Sequence, residues 1–271
     1  MKHKFLFILL FSLVLEGMVT TQAVAGDYVH QVNTLIGTKG TGLTSGYLYP
    51  GATYPYGMVQ FTPSYFSKRS GFVINQLSGG GCEHMGNFPT FPVKGKLKMS
   101  PDNILNYRIN VSEEKGHAGY YEAMVQEDIK AKLTVTERTG MASYEYPADQ
   151  QYGTIIIGGG ISATPIEQAA IVITAPNKCE GYAEGGNFCG LRTPYKVYFV
   201  AEFDTDAFET GTWKREELMP NTTFAEGEYS GVYFTFDVNK KKNIQYKIGV
   251  SYVSVENARE NLKAENAEWD F

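Results

Sequence analysis

The chain has 271 residues, 43% of them hydrophobic and 20% charged, with a formal net charge of −5 at pH 7. This mildly acidic balance lacks the basic footprint of nucleic-acid-binding proteins, so we expect no nucleic-acid partner. After the N-terminal segment, no stretch reaches the ~18 consecutive apolar residues that a membrane-spanning helix needs, so we expect no membrane span. The length suits one large domain with a sizeable core.

Residues 1–25 are predicted to be a secretory signal peptide. Lys2 and Lys4 form its basic start, the apolar run Phe5–Leu15 follows, and Ala23–Ala25 offers a small-residue cleavage site. The apolar run is too short for a stable membrane anchor. We therefore expect export, to the periplasm or to the extracellular space.

A glycine-rich segment between Gly71 and Pro89 is the strongest candidate for a binding site. Three consecutive glycines allow the backbone to approach a ligand, or to adopt positive φ, without a Cβ clash. Polar, chemically capable side chains in such a loop indicate a site, and amide side chains both donate and accept hydrogen bonds. The predicted binding residues are Asn75, Gln76, Gly79, Gly80, Gly81, Cys82, Glu83 and His84.

Other interpretations of this segment stay open. It can be a glycine-rich corner between strands, in which Asn75 and Gln76 satisfy the backbone groups of a bend. Cys82, Glu83 and His84 invite a zinc site or a cysteine nucleophile. However, adjacent residues of an extended chain point to opposite sides, and zinc ligands are usually spaced by about two to four residues. We predict no metal site and no catalytic residue here.

Hydrophobic patterns predict an all-β fold. Lys130–Arg138 is rich in Thr and Val, and the continuous apolar run Thr154–Ile157 predicts a strand buried on both faces. In Tyr195–Phe203, Val232–Val238 and Ile244–Tyr252, the apolar residues alternate, as in strands with one buried face. Turn residues separate the runs and no helical pattern intervenes. The sequence therefore predicts a large antiparallel β-sandwich and excludes a doubly wound α/β fold.

The three cysteines, Cys82, Cys179 and Cys189, are too few for a disulfide framework. Cys179 and Cys189 bracket a glycine-rich segment, and in an exported protein they could form a disulfide that staples a hairpin. Spacing alone does not establish the geometry that a disulfide requires, so this pairing stays open. Cys82 would then be the unpaired thiol.

The segment Val255–Trp269 has a helical pattern, and Ser254 before it is a suitable N-cap. Ala258 and Leu262 lie four residues apart on one face of this predicted helix, while charged residues occupy the other faces. The predicted boundaries are 1–25 for the signal peptide, 26–253 for the β-sandwich domain and 254–271 for the helical segment.

Eight segments, taken together in this order and spacing, carry a resemblance to a known family. They are Val32–Thr38, Tyr49–Pro63, Gly71–Pro89, Gly119–Tyr121, Lys132–Arg138, Gly185–Gly190, Tyr198–Asp204 and Val253–Arg259. The combination resembles the N-terminal part of the family 92 glycoside hydrolases, which are calcium-dependent, exo-acting α-mannosidases. This resemblance implies a β-sandwich of the galactose-mutarotase-like supersandwich type. It also implies that the C-terminal helical segment begins a linker to a helical catalytic domain absent from this chain.

In that family the helical domain carries a glutamate acid, an aspartate base and a Ca²⁺ ion, and the reaction is inverting. Inverting hydrolases hold their two carboxyl groups about 6.5–9.5 Å apart to admit a water molecule. No position in this chain matches those motifs. The resemblance therefore assigns no catalytic residue and no calcium ligand here, and Ca²⁺ is expected only in the full-length enzyme.

These observations favour a non-catalytic, carbohydrate-binding β-sandwich domain of an exported α-mannosidase, inactive alone. Its expected partners are a mannose-containing glycan and the helical catalytic domain, and an exposed apolar patch should face that domain. The alternative is a free-standing carbohydrate-binding module. A mutarotase-like enzyme is a third hypothesis, which fold alone cannot establish.

Overall fold

The structure is a computed structural model of the protein. It describes residues 28, 31–38, 48–64, 71–77, 85–102 and 111–271. The predicted signal peptide and the predicted binding residues Gly79 to His84 lie outside the described residues. The chain divides into two compact units, Met1–Gln31 and Val32–Phe271, and the elements below belong to the second.

The described residues form 17 β-strands and one α-helix. The strands are β1 (Ala52–Thr53), β2 (Gln60–Pro63), β3 (Phe72–Val73), β4 (Thr90–Lys94), β5 (Val111–His117), β6 (Tyr120–Val125), β7 (Ile129–Val135), β8 (Thr139–Glu145), β9 (Tyr152–Gly158), β10 (Ile166–Ala175), β11 (Lys178–Phe188), β12 (Leu191–Phe203), β13 (Glu209–Lys214), β14 (Glu217–Pro220), β15 (Phe224–Glu226), β16 (Ser230–Asp237) and β17 (Asn243–Ser251), and the helix is α1 (Val255–Glu265).

The strands make two antiparallel sheets. One sheet has eight strands in the order β1-β2-β3-β4-β9-β16-β13-β14, and the other has nine in the order β15-β10-β11-β12-β17-β8-β7-β6-β5. Long hairpins such as β11–β12, with Tyr182 opposite Tyr198, keep neighbouring strands in register. The predicted antiparallel β-sandwich is confirmed.

Aromatic side chains join the two sheets at the centre of the core. The Phe203 ring, from β12, lies 4.8 Å from Phe234 and 5.1 Å from Phe236 of the opposite sheet, measured between ring centroids. Tyr246 of β17 lies 5.3 Å from the same Phe203 ring. Aromatic contacts of this kind stabilise the fold by more than the burial of apolar area alone. The apolar residues that alternate along these strands therefore form a core shared by the two sheets.

The central strand β9 confirms another prediction. Ile155, Ile156 and Ile157 are all fully buried, because β9 lies between β4 and β16 and is covered on both faces. β16 differs from its alternating pattern, since Tyr233 and Thr235 are as buried as Phe234. Alternation identified one buried face of β16, and the surrounding structure covers the other.

The helix α1 begins where the sequence predicts. Ser254 is its N-cap, and the Oγ of Ser254 accepts a hydrogen bond from the N–H of Asn257 at 3.1 Å. The helix ends at Glu265, four residues before the predicted Trp269, because the next two carbonyls turn toward Lys247. The boundary between domain and linker stays a prediction. No helix among the described residues has the length and apolar character that crossing a membrane requires.

The pairing of Cys179 with Cys189, which the sequence left open, does not form. Cys179 is the second residue of β11, and Cys189 follows its last residue. Because a strand rises about 3.3 Å per residue, the two lie about 30 Å apart, whereas a disulfide needs Cα atoms within about 7 Å. Cys179 is a buried free thiol, while Cys189 is disulfide-bonded. The third cysteine, Cys82, lies outside the described residues.

Cys179 is expected to resist alkylation in the folded protein. Its side chain is fully buried, and burial, with Glu180 nearby, raises the pKa of the thiol. Maleimide treatment followed by peptide mass spectrometry should find Cys179 unmodified before unfolding and modified after it, with reduced Cys189 as the reactive control. Rapid labelling of Cys179 in the native protein would contradict this packing.

Candidate functional site

A hydrogen-bonded cluster of two amides and two phenols joins segments of the two sheets. The Oδ1 of Asn75 accepts from the backbone N–H of Asn87 at 2.7 Å, and its Nδ2 donates to the Oδ1 of Asn87 at 3.0 Å. The same Nδ2 donates to the hydroxyl of Tyr252 at 3.3 Å, and the hydroxyl of Tyr195 donates to Asn87 Oδ1 at 2.9 Å. We call Asn75, Asn87, Tyr195 and Tyr252 the amide cluster.

Four separate parts of the chain supply these side chains. Asn75 follows β3 and forms an isolated parallel bridge with Gln60, Asn87 precedes β4, Tyr195 lies in β12, and Tyr252 directly follows β17. The two sheets therefore both contribute to the cluster. Its geometry depends on the relative placement of the sheets, which the aromatic core sets.

The turn before β4 directs Asn87 into the cluster. Met85 and Phe88 have φ of 59° and 53°, in the left-handed region that side chains other than glycine rarely adopt, and Gly86 between them has φ of 76°. Such residues are retained where surrounding contacts hold them. The ring of Phe88 lies 4.2 Å from that of Phe199 between centroids, and this buried contact holds the turn.

The two phenols stay protonated at neutral pH. Burial raises the pKa of Tyr195 to about 12, although hydrogen bonds to Asn87 and Ser162 oppose the shift. Burial also raises the pKa of Tyr252, against the hydrogen bond from Asn75. The phenols therefore act as hydrogen-bonding and packing groups, and neither provides a base near neutral pH.

Two buried polar atoms in and beside the cluster have no hydrogen-bond partner among the residues that the structure describes. They are the Oε1 of Gln76 and the Nδ2 of Asn87, on residues only 2% and 0% exposed. Native proteins pair the large majority of buried polar atoms, and an exception calls for a specific explanation. One atom is an acceptor and the other a donor, which is the pair of groups that a hydroxyl can satisfy.

Several exposed apolar side chains lie on chain segments that precede or supply the amide cluster, and we call them the apolar rim. They are Val32, Ile36, Leu48, Tyr54, Tyr56, Leu77, Tyr252 and Val253. Backbone hydrogen bonds hold the segments together: Met58 N–H donates to Glu137 O at 2.7 Å, and Val250 N–H donates to Arg138 O at 3.1 Å. Clustered exposed apolar residues, unlike scattered ones, mark interaction surfaces.

The structure describes two of the eight predicted binding residues. Asn75 and Gln76 are both buried, and Asn75 uses its amide within the protein, as in the bend interpretation. Contact of either residue with a ligand stays a prediction. Sequence reasoning missed Asn87, Tyr195 and Tyr252. Tyr195 begins one alternating segment and Tyr252 ends another, and the pattern predicts both as core residues. Only the fold could identify them as members of the cluster.

The residues that the structure describes offer no cluster for a metal ion. Among them, no three His, Cys, Asp or Glu side chains converge. The donor set of a calcium site, which consists of several carboxylate and carbonyl oxygens at 2.3–2.6 Å or so, is therefore assigned to none of them. We derive no chemical step through Ca²⁺ here.

The two-sheet architecture is that of known glycosyl hydrolases. The GH92 family glycosyl hydrolase ccman5 superposes with a TM-score of 0.77 at 22% identity, over 90% of this chain and 35% of the other. A family GH92 α-mannosidase from Bacteroides thetaiotaomicron superposes with a TM-score of 0.74 at 25% identity, over 89% of this chain and 35% of the other. These likenesses show the fold.

The sequence comparison shows the family. Residues 31–251 match the family described as "Glycosyl hydrolase family 92 N-terminal domain", and the chain belongs to this family. A protein of Arthroderma benhamiae described as an uncharacterized secreted glycosidase is 24% identical, over 96% of this chain and 38% of its own length. The chain therefore spans little more than a third of the length of these relatives.

Asn75→Ala is expected to lower the free energy of unfolding by about 1–3 kcal/mol, because it leaves the buried N–H of Asn87 unpaired. Gln76→Leu is the matched comparison. The Oε1 of Gln76 accepts no hydrogen bond from the residues that the structure describes, so this change should be neutral or stabilising. Urea denaturation measures both variants, and equal losses would contradict the structural role of Asn75.

Proposed function

We propose that this domain is the carbohydrate-binding β-sandwich of an exported α-mannosidase and forms one wall of its active-site cleft. The single observation that carries the proposal is the amide cluster with its two buried polar atoms that lack a partner among the described residues, in a family 92 N-terminal domain. The acid, the base and the Ca²⁺ ion of the reaction would come from protein outside the described residues.

The chemistry of the amide cluster supports a sugar ligand. A mannose unit presents hydroxyl groups, which both donate and accept, and C–H faces, which pack on aromatic rings. Gln76 and Asn87 supply an acceptor and a donor, and Tyr252 is 39% exposed beside them. The hydrogen bond from Asn75 holds the Tyr252 ring at the edge of the cluster.

The apolar rim supports a protein neighbour. Tyr56 is fully exposed, Val253 is 73% exposed and Ile36 is 71% exposed. Surfaces of this character are usually covered by a partner. The relatives are almost three times as long as the matched region, and their remaining chain is the partner that we propose. The description of one relative as secreted supports export.

Binding of α-mannobiose is expected to depend on the rim and on Gln76. Gln76→Leu and Tyr252→Ala should each weaken binding about tenfold or more, because each removes a direct contact while the fold persists. Titration calorimetry measures the affinity. Phe208→Ala is the control, since Phe208 is exposed but packs on Tyr152, at the start of β9 and away from the amide cluster.

Unchanged binding by the two site variants, or equal weakening by the control, would contradict the placement of the sugar site. Binding with full affinity in the absence of any helical domain, unchanged when a family 92 helical domain is added, would favour the free-standing carbohydrate-binding module. Binding that strengthens on that addition would favour the cleft wall.

The chain alone is expected to release no mannose from α-mannobiose in the presence of Ca²⁺, because the proposal places both catalytic carboxyl groups elsewhere. Chromatographic detection of mannose after prolonged incubation measures this. A full-length family 92 α-mannosidase is the positive control. Turnover by residues 26–271 alone would overturn the proposal.

A further inference from the structure

The C-terminal segment crosses the outer face of the nine-stranded sheet, and we call Val255–Phe271 the C-terminal strap. Its contacts follow the sheet from β11 to β6. They are Arg259 with Glu180 at 2.5 Å, Leu262 with Val200, Asn261 with the carbonyl of Val250 at 2.8 Å, Glu265 with Arg138, and Phe271 with Tyr120 at 6.3 Å between ring centroids. The strap thus touches strands far apart in the sheet.

The helix approaches the sheet closely because β17 carries a glycine beneath it. A Cβ atom at Gly249 would lie 2.5 Å from the carbonyl oxygen of Ala258 and 2.8 Å from the Cβ of Leu262. Distances this short exclude any side chain at that position. Ala258 and Leu262 are 0% and 3% exposed, so the apolar stripe of α1 is buried against the sheet.

Lys247 of β17 is a buried cation that the strap satisfies. It is 4% exposed, and its Nζ donates to the carbonyls of Asn266 at 3.0 Å and Ala267 at 2.9 Å. The ring of Trp269 lies 4.3 Å from the same ammonium group. Burial lowers the pKa of Lys247, an effect that Glu202, at 3.9 Å, partly offsets. The strap therefore accepts two hydrogen bonds from this ammonium group, while Glu202 of β12 supplies a counter-charge.

Glu265 attaches the end of the helix to the β7–β8 turn. Its carboxylate accepts hydrogen bonds from Thr136 Oγ1 at 2.6 Å, from the backbone N–H of Arg138 at 2.8 Å and from the Arg138 side chain. Burial would raise the pKa of Glu265, but these three interactions lower it overall. The same turn bonds to Met58, beside the apolar rim.

We infer that the C-terminal strap is a cooperative part of the β-sandwich, because Lys247 hydrogen-bonds to its carbonyls and Glu265 attaches it to the β7–β8 turn. The region that matches the family ends at residue 251, so the folding unit extends beyond it. A buried charge that loses its partners destabilises a protein strongly. The strap also holds the end of β17, and with it Tyr252 of the amide cluster. This inference does not depend on the proposed function.

The first test measures hydrogen exchange in the intact chain. The amides of Ala258–Glu265 should be as protected as those of β17, because segments that unfold together share one opening free energy. Exchange about a hundredfold faster in α1 than in β17 would correspond to a separate opening of the strap, and this result would overturn the inference.

The second test removes the partners of Lys247 in two backgrounds. Deletion of residues 266–271 should lower the thermal midpoint on the order of 10 °C when Lys247 is present. In a Lys247→Met background the same deletion should lower the thermal midpoint by less than half as much, because Met makes neither the hydrogen bonds to the strap carbonyls nor the cation–π contact with Trp269. Lys196→Met is the control, since Lys196 pairs with Glu184 and not with the strap. In this background the deletion should lower the thermal midpoint as much as it does in the original chain.

The inference would be overturned if the deletion lowered the thermal midpoint equally in the original chain and in the Lys247→Met variant. It would also be overturned if the deletion left the midpoint unchanged in both. Should the deletion prevent folding, Trp269→Ala on the full-length chain provides a milder change in the same cycle. Its cost should likewise shrink when combined with Lys247→Met. If the two substitutions lowered the thermal midpoint additively, this result would contradict the inference.

Discussion

The structure depends on the aromatic contact between its two sheets. Phe203 of the nine-stranded sheet packs against Phe234 and Phe236 of the other, and Tyr246 beside it packs against Phe61, with all of these rings almost completely buried. Close-packed interiors of this kind tolerate little displacement. The contact therefore sets the relative placement of the sheets, and with it every feature that draws on both.

The amide cluster is such a feature. Asn75 and Tyr252 are 177 residues apart in the chain and meet through one hydrogen bond, while the bond between Tyr195 and Asn87 joins the two sheets at the same point. Hydrogen bonds between buried amides are strong, so the cluster holds its loops in one arrangement. Two buried amide atoms have no partner among the described residues, which is why a ligand site is proposed here.

The outer face of the nine-stranded sheet has a different role. Its centre is occupied by the C-terminal strap, which covers Val200 and satisfies Lys247. The part of the face under the strap is therefore covered by the protein's own chain. Both the strap and the amide cluster depend on β17, because the strap packs on this strand and Tyr252 directly follows it.

The sequence by itself determined the antiparallel β-sandwich, the N-cap at Ser254 and the family resemblance, because period-two alternation, capping residues and motif order are local properties of a chain. It indicated Asn75 and Gln76, since a glycine-rich loop with amides is also local. It could not identify Asn87, Tyr195 or Tyr252, and it left a disulfide between Cys179 and Cys189 open. Only the tertiary structure decided these matters, because hydrogen bonds and disulfides depend on the distance between atoms in space. An extended strand separates residues that are close in sequence, while sheet packing brings together residues that are far apart in sequence.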